Sequence, residues 1–386
     1  MAPVASTSTS IMRQYVATKK GGPFQVVTGT YPTPGPDEIC VRNRAVGLNA
    51  LDLKNLYHGQ TVKAWPEIFG IDAAGVVEVV GDKVTQFKAG DAVMCSAGLG
   101  GRRGGFQEVT TVPEHFAALK PAAWSFAQAS SAPICYLAAC AAITKGLGIS
   151  LPHLAPLDTP KEDHVDYYGE KNPQVSNINN GDAEPGDTSA ATKPPVAVRS
   201  VLVLGGSSGV GTSALQLLRI ALGPDAVILC TNSPAHNKRL VGLGATACVD
   251  RNLGAKKLVA AVKAATPSGK GVDAVLDAVA GVGGDDSSGL WEVLRADGPK
   301  LYSNVFTGEE INVPDGVRGK PVFAHMMLSV IKGGKAAMGK LGELVEEGKY
   351  QLPLDIKVVG RSLEDIGKGL DRLQAGVSGT KLVVSL

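Results

Sequence analysis

Apolar and polar residues alternate over short stretches from residue 13 to about residue 121, in FQVVTGTYPTPG, EICVRNRAVGLN, AGVVEVVG, DAVMCS and GGFQEVTTV. Period-two alternation cut by Gly and Pro at this spacing predicts a compact β-rich domain. The period lengthens near Ser125, where FAQASSAPICYLAACAAITKGLGI brings apolar residues round at helical intervals. From Val201 onward, strand and helix patterns take turns. VLVL, DAVILC, TACVD, VDAVLDAV, PKLYSNVF and KPVFA read as strands, with HNKRLVGLGA, AKKLVAAVKAAT and GLWEVLRADG as helices between them. Such alternation implies right-handed crossovers and a parallel sheet covered on both faces. A long helical stretch, MMLSVIKGGKAAMGKLGELVEEGKY, follows, and IKVVGRSLEDIGKGLDRLQAGVSGTKLVVSL closes the chain as strand, helix and strand. The last strand is expected to pair within the first domain.

One segment keeps neither period. Residues 151–198 hold seven prolines and eight acidic residues against three lysines, a net of −5. Low hydrophobicity with excess acid buries too little surface to offset ordering, so the segment reads as a surface insertion, wholly or partly disordered. A lid or partner loop, with Tyr167 and Tyr168 as its apolar anchor, is the alternative.

Composition narrows the class. At 386 residues two cores can form, and 44% hydrophobic with 19% charged residues is ordinary for a soluble globular chain. A net charge of +2, with basic residues scattered, favours neither nucleic acid nor an acidic partner. The six cysteines show no C-x-x-C pair and lie mostly in apolar runs, as reduced, buried side chains of a cytoplasmic protein do. MAPVASTSTSIM lacks the positive region and apolar core of a secretory signal and reads as a frayed leader. The apolar run 132–143 is too short to span a bilayer, so no membrane partner is expected.

The chemistry gathers at residues 201–211, VLVLGGSSGVG, a buried strand, a glycine-serine turn and the start of a helix. Glycines admit close backbone approach and free helix N–H groups face an anion, which suits the pyrophosphate of a dinucleotide. The candidate contacts are Gly206, Ser207, Ser208, Gly209 and Val210, with Ser208 standing where G-x-G-x-x-G has its middle glycine. An acid at the end of the next strand would accept from the ribose of NAD and repel a 2′-phosphate. VILCTNSPAHNKR has none: it offers Thr231, Asn232 and Ser233 as neutral donors, with His236, Lys238 and Arg239 nearby. NADPH is the expected cofactor. The alternative is that these basic residues form a solvated helix face.

The motifs GIDAAGVVEVVGDKVTQFKAGDAV, AVGLNALDLK, GGFQEVTTV and HNKRLVGLGATACVD together resemble the medium-chain dehydrogenase/reductases. With AGVSGTKLVVSL and NSPAHN, the chain is most similar to the zinc-independent fungal branch of trans-acting enoyl reductases and quinone-reductase-like proteins. The resemblance implies an α/β chain with a GroES-like β-rich catalytic domain at 13–130 and 325–386. A Rossmann doubly wound parallel sheet is implied at 131–324, interrupted by the acidic insertion. Where the family's zinc enzymes have a catalytic cysteine and a G-H-E histidine, this chain has Asn49 and Ile71. Neither is a thiolate or imidazole, so no metal site is expected.

Without that Lewis acid, the expected reaction is hydride addition to the C=C of an α,β-unsaturated carbonyl, with hydrogen-bond donors stabilising the enolate oxygen. The resemblance places Asn49 beside nicotinamide and substrate; a turn residue satisfying local backbone is the alternative. Lys54 is a donor to a substrate or cofactor oxygen, or a solvated amine. Tyr57 is a proton donor or a packed aromatic, and Asp52 orients local structure. Ala138 replaces a threonine that the family often carries near the nicotinamide, and His236 stands where relatives often carry a phosphate-binding lysine, which implies binding that weakens as pH rises. Asn304, Phe306 and Lys381 complete the cofactor residues that the resemblance implies. The favoured substrate is an enoyl group, free or carried on a polyketide synthase, with a quinone or small enone as runner-up. A low-turnover nucleotide-binding partner protein is the competing class. Monomer and homodimer stay open.

Overall fold

The computed structural model describes residues 11–154, 197–279, 287–305, 311–322 and 334–386. Most of the expected acidic insertion, with Tyr167 and Tyr168, the Ser/Thr-rich start and Phe306 lie outside the described residues.

In chain order the main elements begin with β1 (Ile11–Ala17), β2 (Phe24–Thr30), β3 (Glu38–Gly47), α1 (Ala50–His58), β4 (Asp72–Val80), β5 (Ala92–Ser96), β6 (Val109–Pro113) and β7 (Ala117–Leu119). Two helices, α2 (Phe126–Ala129) and α3 (Pro133–Ala141), lead to β8 (Ser200–Leu204), α4 (Gly209–Leu222), β9 (Val227–Asn232) and α5 (Asn237–Gly242). Next come β10 (Ala247–Asp250), α6 (Ala255–Ala264), β11 (Ala274–Asp277), β12 (Leu301–Val305) and β13 (Arg318–Val322). The chain ends with α7 (Ala337–Glu346), β14 (Asp355–Gly360), α8 (Asp365–Gln374) and β15 (Thr380–Ser385).

These elements divide into two compact units. The first comprises Met1–Pro133, Ile356–Val377 and Lys381–Leu386. Its main sheet runs β14-β15-β3-β4-β5-β7, with β6 also on β3, and β1 and β2 form a separate antiparallel pair. The last strand does return here, as β15 pairs antiparallel with β3 through Val383, Val384 and Ser385. Ile39, Val41, Ala45 and Val46 of β3 are fully buried, which is why this long strand sits mid-sheet.

The second unit comprises Ile134–Asp355 with Ser378–Thr380. Its six strands run β10-β9-β8-β11-β12-β13, every pair parallel. Counting from β8, that is the order 3-2-1-4-5-6 of a doubly wound dinucleotide-binding sheet, with its switch point between β8 and β11. Leu202, Leu204, Leu229, Val249, Val262, Val275 and Tyr302 form one continuous core. Helix α4 packs on β8 and β9 and buries Ala214, Leu215, Leu217 and Leu218.

Two elements differ from the sequence expectation. GLWEVLRADG forms no α-helix; residues 287–293 make a 3₁₀ turn, and Val293 gives its carbonyl to Val272 N–H. The return to the β-rich unit falls at Ile356, where the sequence places it at 325. Side-chain bonds explain this: Tyr350 Oη meets Ser213 Oγ at 2.7 Å, and Gln351 N–H donates to Gln216 Oε1 at 2.7 Å, tying residues 334–355 to α4. Phe126–Gly146 is long and apolar enough to cross a membrane by composition, yet 83% of its most apolar 18-residue stretch is buried inside the protein, as a core helix is. Of the six cysteines, all unpaired, only Cys248 is partly exposed.

Candidate active site

The glycine turn lies at the carboxyl end of β8, at the switch point of the parallel sheet, where such sheets bind dinucleotides. Gly205 has φ +74°, a left-handed conformation that favours glycine. A Cβ on Gly211 would lie 2.2 Å from Gly205 O, and one on Gly206 would lie 2.6 Å from Cys230 Cβ. These absences of side chain are what let strand, turn and helix close up. Ser208 caps α4, its Oγ accepting from Gly211 N–H at 3.0 Å. The next N–H groups, of Gly209 and Val210, take no acceptor among the described residues. They are the orphan donors of a helix start, and the cradle fits a pyrophosphate.

The end of β9 is more selective than its sequence. Thr231 Oγ accepts from Gly205 N–H at 3.0 Å and so serves the turn. Asn232 donates to Ser233 O at 2.8 Å and to Asn237 Oδ1 at 2.7 Å, committing both amide hydrogens locally. Arg239 is tied to Asp355 and to Leu352 O. That leaves Ser233 and His236, both half-buried, and the exposed Lys238 to meet a ligand. Ala138 is buried in α3, and Asn304 is buried at the end of β12. Asp277, at the end of β11, accepts from Tyr302 Oη at 3.0 Å and from Val279 N–H at 3.0 Å.

A second polar group lies in the β-rich unit. Lys381 on β15 donates to Asn49 Oδ1 at 2.6 Å and to Asp72 Oδ2 at 2.9 Å. Asn49 in turn donates to the same Asp72 oxygen at 3.0 Å and to Gly47 O at 3.2 Å. The ammonium can only donate, so it takes the amide oxygen and turns the amide nitrogen to the carboxylate. Asp72 is fully buried and the Lys381 side chain is 6% exposed, so this is an interior ion pair. Both amide hydrogens of Asn49 are engaged within the unit.

Asn49 also starts α1. Asp52 reaches back to accept from Asn49 N–H at 2.8 Å and from Gly70 N–H at 3.2 Å. Burial pushes the Asp52 carboxyl up to about 7, against the opposing pull of those N–H groups and of Lys381. Lys54 is half-buried on the same helix. Tyr57 donates to Gln374 Oε1 on α8 at 3.0 Å. The structure thus brings together Asn49 and Lys381, which sequence reasoning had placed with substrate and cofactor respectively. Asp72 was missed, although an acid amid Ile71, Ala73 and Ala74 in GIDAAG is a signal, because a carboxylate in an apolar strand needs a partner. Among the described residues no group of three or more His, Cys, Asp or Glu is placed to hold a metal ion.

A parallel sheet with a glycine turn at its switch point, joined in one chain to a β-rich unit, defines a class, and comparison with known proteins agrees. Residues 35–122 match the alcohol dehydrogenase GroES-like domain and residues 243–384 the family described as zinc-binding dehydrogenase. A dehydrogenase of Emericella nidulans is 33% identical over 378 residues, covering 96% of this chain and 97% of that protein. A trans-enoyl reductase of Fusarium mangiferae is 29% identical over 407 residues, covering 97% and 99%. Among solved structures, an alcohol dehydrogenase superfamily protein from Novosphingobium aromaticivorans superposes with a TM-score of 0.71 at 23% identity, covering 97% of this chain and 99% of that one. The chain belongs to the medium-chain dehydrogenase/reductase superfamily and is an oxidoreductase. A nicotinamide dinucleotide is the cofactor class that its turn and family imply.

Proposed function

We propose that the protein is a zinc-independent, NADPH-dependent reductase of the C=C bond in an α,β-unsaturated carbonyl, with an enoyl group as the favoured substrate. The observation that carries this reading is the Lys381–Asn49–Asp72 cluster. At the two positions where the resemblance expects metal ligands stand an amide bonded to a buried ammonium and the apolar, 2%-exposed Ile71. Relatives named trans-enoyl reductases, at 26–29% identity over 90–97% of the chain, support the same chemistry.

Gly206, Ser207, Ser208, Gly209 and Val210 would hold the pyrophosphate, and Ser233, His236 and Lys238 the 2′-phosphate. When bound, reduced nicotinamide would supply a hydride to the β-carbon, and the negative charge would then fall on the carbonyl oxygen. Asn49 and Lys381 would supply the hydrogen bonds to that charge, and for Asn49 to donate it must give up its bond to Gly47 O or to Asp72. Asp72 holds both in place. The α-carbon proton comes from water or a side chain, with Lys54 and Tyr57 the candidates on α1. For Tyr57 to serve, its bond to Gln374 must be given up.

A panel of enoyl thioesters on pantetheine or carrier protein, free enones, quinones and alcohols, followed by nicotinamide absorbance, tests this. Turnover of enoyl thioesters or enones with NADPH by metal-free protein is expected, and faster turnover on a carrier would mark the acyl chain as carried. Turnover confined to quinones would shift the reading to a quinone reductase. NADPH binding without turnover of any substrate would make the protein a nucleotide-binding partner.

A further inference from the structure

The tail contributes three residues, Ser378–Thr380, to the nucleotide-binding unit, although both of its flanks belong to the β-rich unit. These residues lie on His236. Ser378 Oγ is 2.8 Å from His236 Nε2, so one ring nitrogen is held by a hydroxyl of the tail. Gly379 has φ +62°, and a Cβ built there would lie 2.5 Å from His236 Cε1 and 2.9 Å from Nδ1, so only a bare backbone fits against the ring. The turn is itself anchored: Gly379 O accepts from Asp355 N–H at 3.1 Å, and Ser378 O accepts from Thr380 Oγ at 3.2 Å. Asp355 is also the carboxylate that engages Arg239. One short stretch of chain therefore both fixes His236 and, through Asp355, adjoins the ion pair that removes Arg239 from ligand binding.

We infer that the turn at Ser378 and Gly379 is a specificity-determining positioning element for the 2′-phosphate of the cofactor, acting through His236. This rests on the NADPH reading above. His236 follows Pro234 and Ala235 at the end of a 3₁₀ turn, whose backbone alone does not orient the ring. With Nε2 held by Ser378, Nδ1 is the ring nitrogen left to a ligand, since the described residues give it no partner. If the serine hydroxyl donates to Nε2, Nδ1 carries the hydrogen and donates to a phosphate oxygen while the ring is neutral. Ser233, at the start of the same turn, adds a second neutral donor and Lys238 a charge. Recognition would thus depend on a residue about 140 positions along the chain from the strand that usually decides it.

The test is the dissociation constant of NADPH and of NADH for the full chain and for Ser378→Ala, Ser378→Thr and Gly379→Ala, with a melting curve for each. In the unaltered protein NADPH should bind more tightly. Ser378→Ala should weaken NADPH by about 5- to 10-fold, through loss of the hydrogen bond that orients His236 toward the phosphate, and leave NADH within about twofold. Ser378→Thr should restore NADPH binding, and Gly379→Ala should weaken it at least as much as Ser378→Ala. In turnover the loss should fall on KM for NADPH, with kcat unchanged at saturation. Equal affinity for both cofactors in the unaltered protein overturns the cofactor reading and this inference with it. A preserved preference in Ser378→Ala and Gly379→Ala, or equal weakening of both cofactors, overturns the inference alone.

Discussion

At the scale of single residues, the decisive group is the buried Lys381–Asp72 pair and the amide it orients. Removing one partner of such a pair leaves the other charge uncompensated, at about 3–5 kcal/mol. Lys381→Met should therefore destabilise the protein by that amount in urea unfolding, and adding Asp72→Asn should recover part of the loss. Asp52 gives a pH signature. Its folded carboxyl keeps its proton to about pH 7, while the unfolded one loses it near the ordinary value of 3.8. Across that window the unfolded state binds fewer protons, so stability falls as pH rises from about 4 to about 7, by on the order of 4 kcal/mol at most. Asp52→Asn should flatten that part of the profile; an unchanged slope would place the carboxyl in its ordinary range. Asn49 was legible because its neighbours form a recognisable segment. Its partners were not, since Asp72 and Lys381 lie 23 and 332 residues away in sequence and meet only through the β15–β3–β4 pairing.

At the scale of elements, the strand–turn–helix from β8 to α4 was readable almost completely, because close approach has one common solution, glycine, and the apolar period changes at the turn. Gly211→Ala should disrupt it: the new Cβ would lie 2.2 Å from a backbone carbonyl, so dinucleotide affinity should drop at least about tenfold, read by calorimetry. Gly242→Ala is the contrast, with open space around its Cβ, and should keep affinity while holding or slightly raising stability. Equal effects from the two would contradict the cradle. Residues 287–293 were harder to read. GLWEVL carries helical spacing, but Val272 bonds the Val293 carbonyl and Arg295 N–H, so pairing with the strand region overrides local preference. The side of the boundary on which 334–355 falls was hidden for a related reason. Met338, Leu341 and Leu344 announce a buried face without saying which core receives it, and that choice rests on bonds from Tyr350 and Gln351 to α4.

At the scale of the whole molecule, one chain supplies two different chemical surfaces. Among the described residues, the parallel-sheet unit offers orphan N–H groups at the start of α4 and, near β9, Ser233, Lys238 and the Nδ1 of His236. The β-rich unit offers an interior ammonium, amide and carboxylate. The split was legible in the change of hydrophobic period, whereas the crossing of the tail between units was not, because three residues carry it. The most direct measurement of the central claim is label transfer from deuterium-substituted NADPH to an enoyl thioester by protein whose metal content has been determined. The account predicts one deuterium at the β-carbon from protein lacking stoichiometric zinc, and a loss of about 100-fold in kcat/KM for Asn49→Ala. Absence of transfer, or activity that follows bound zinc toward alcohols and ketones, would contradict it.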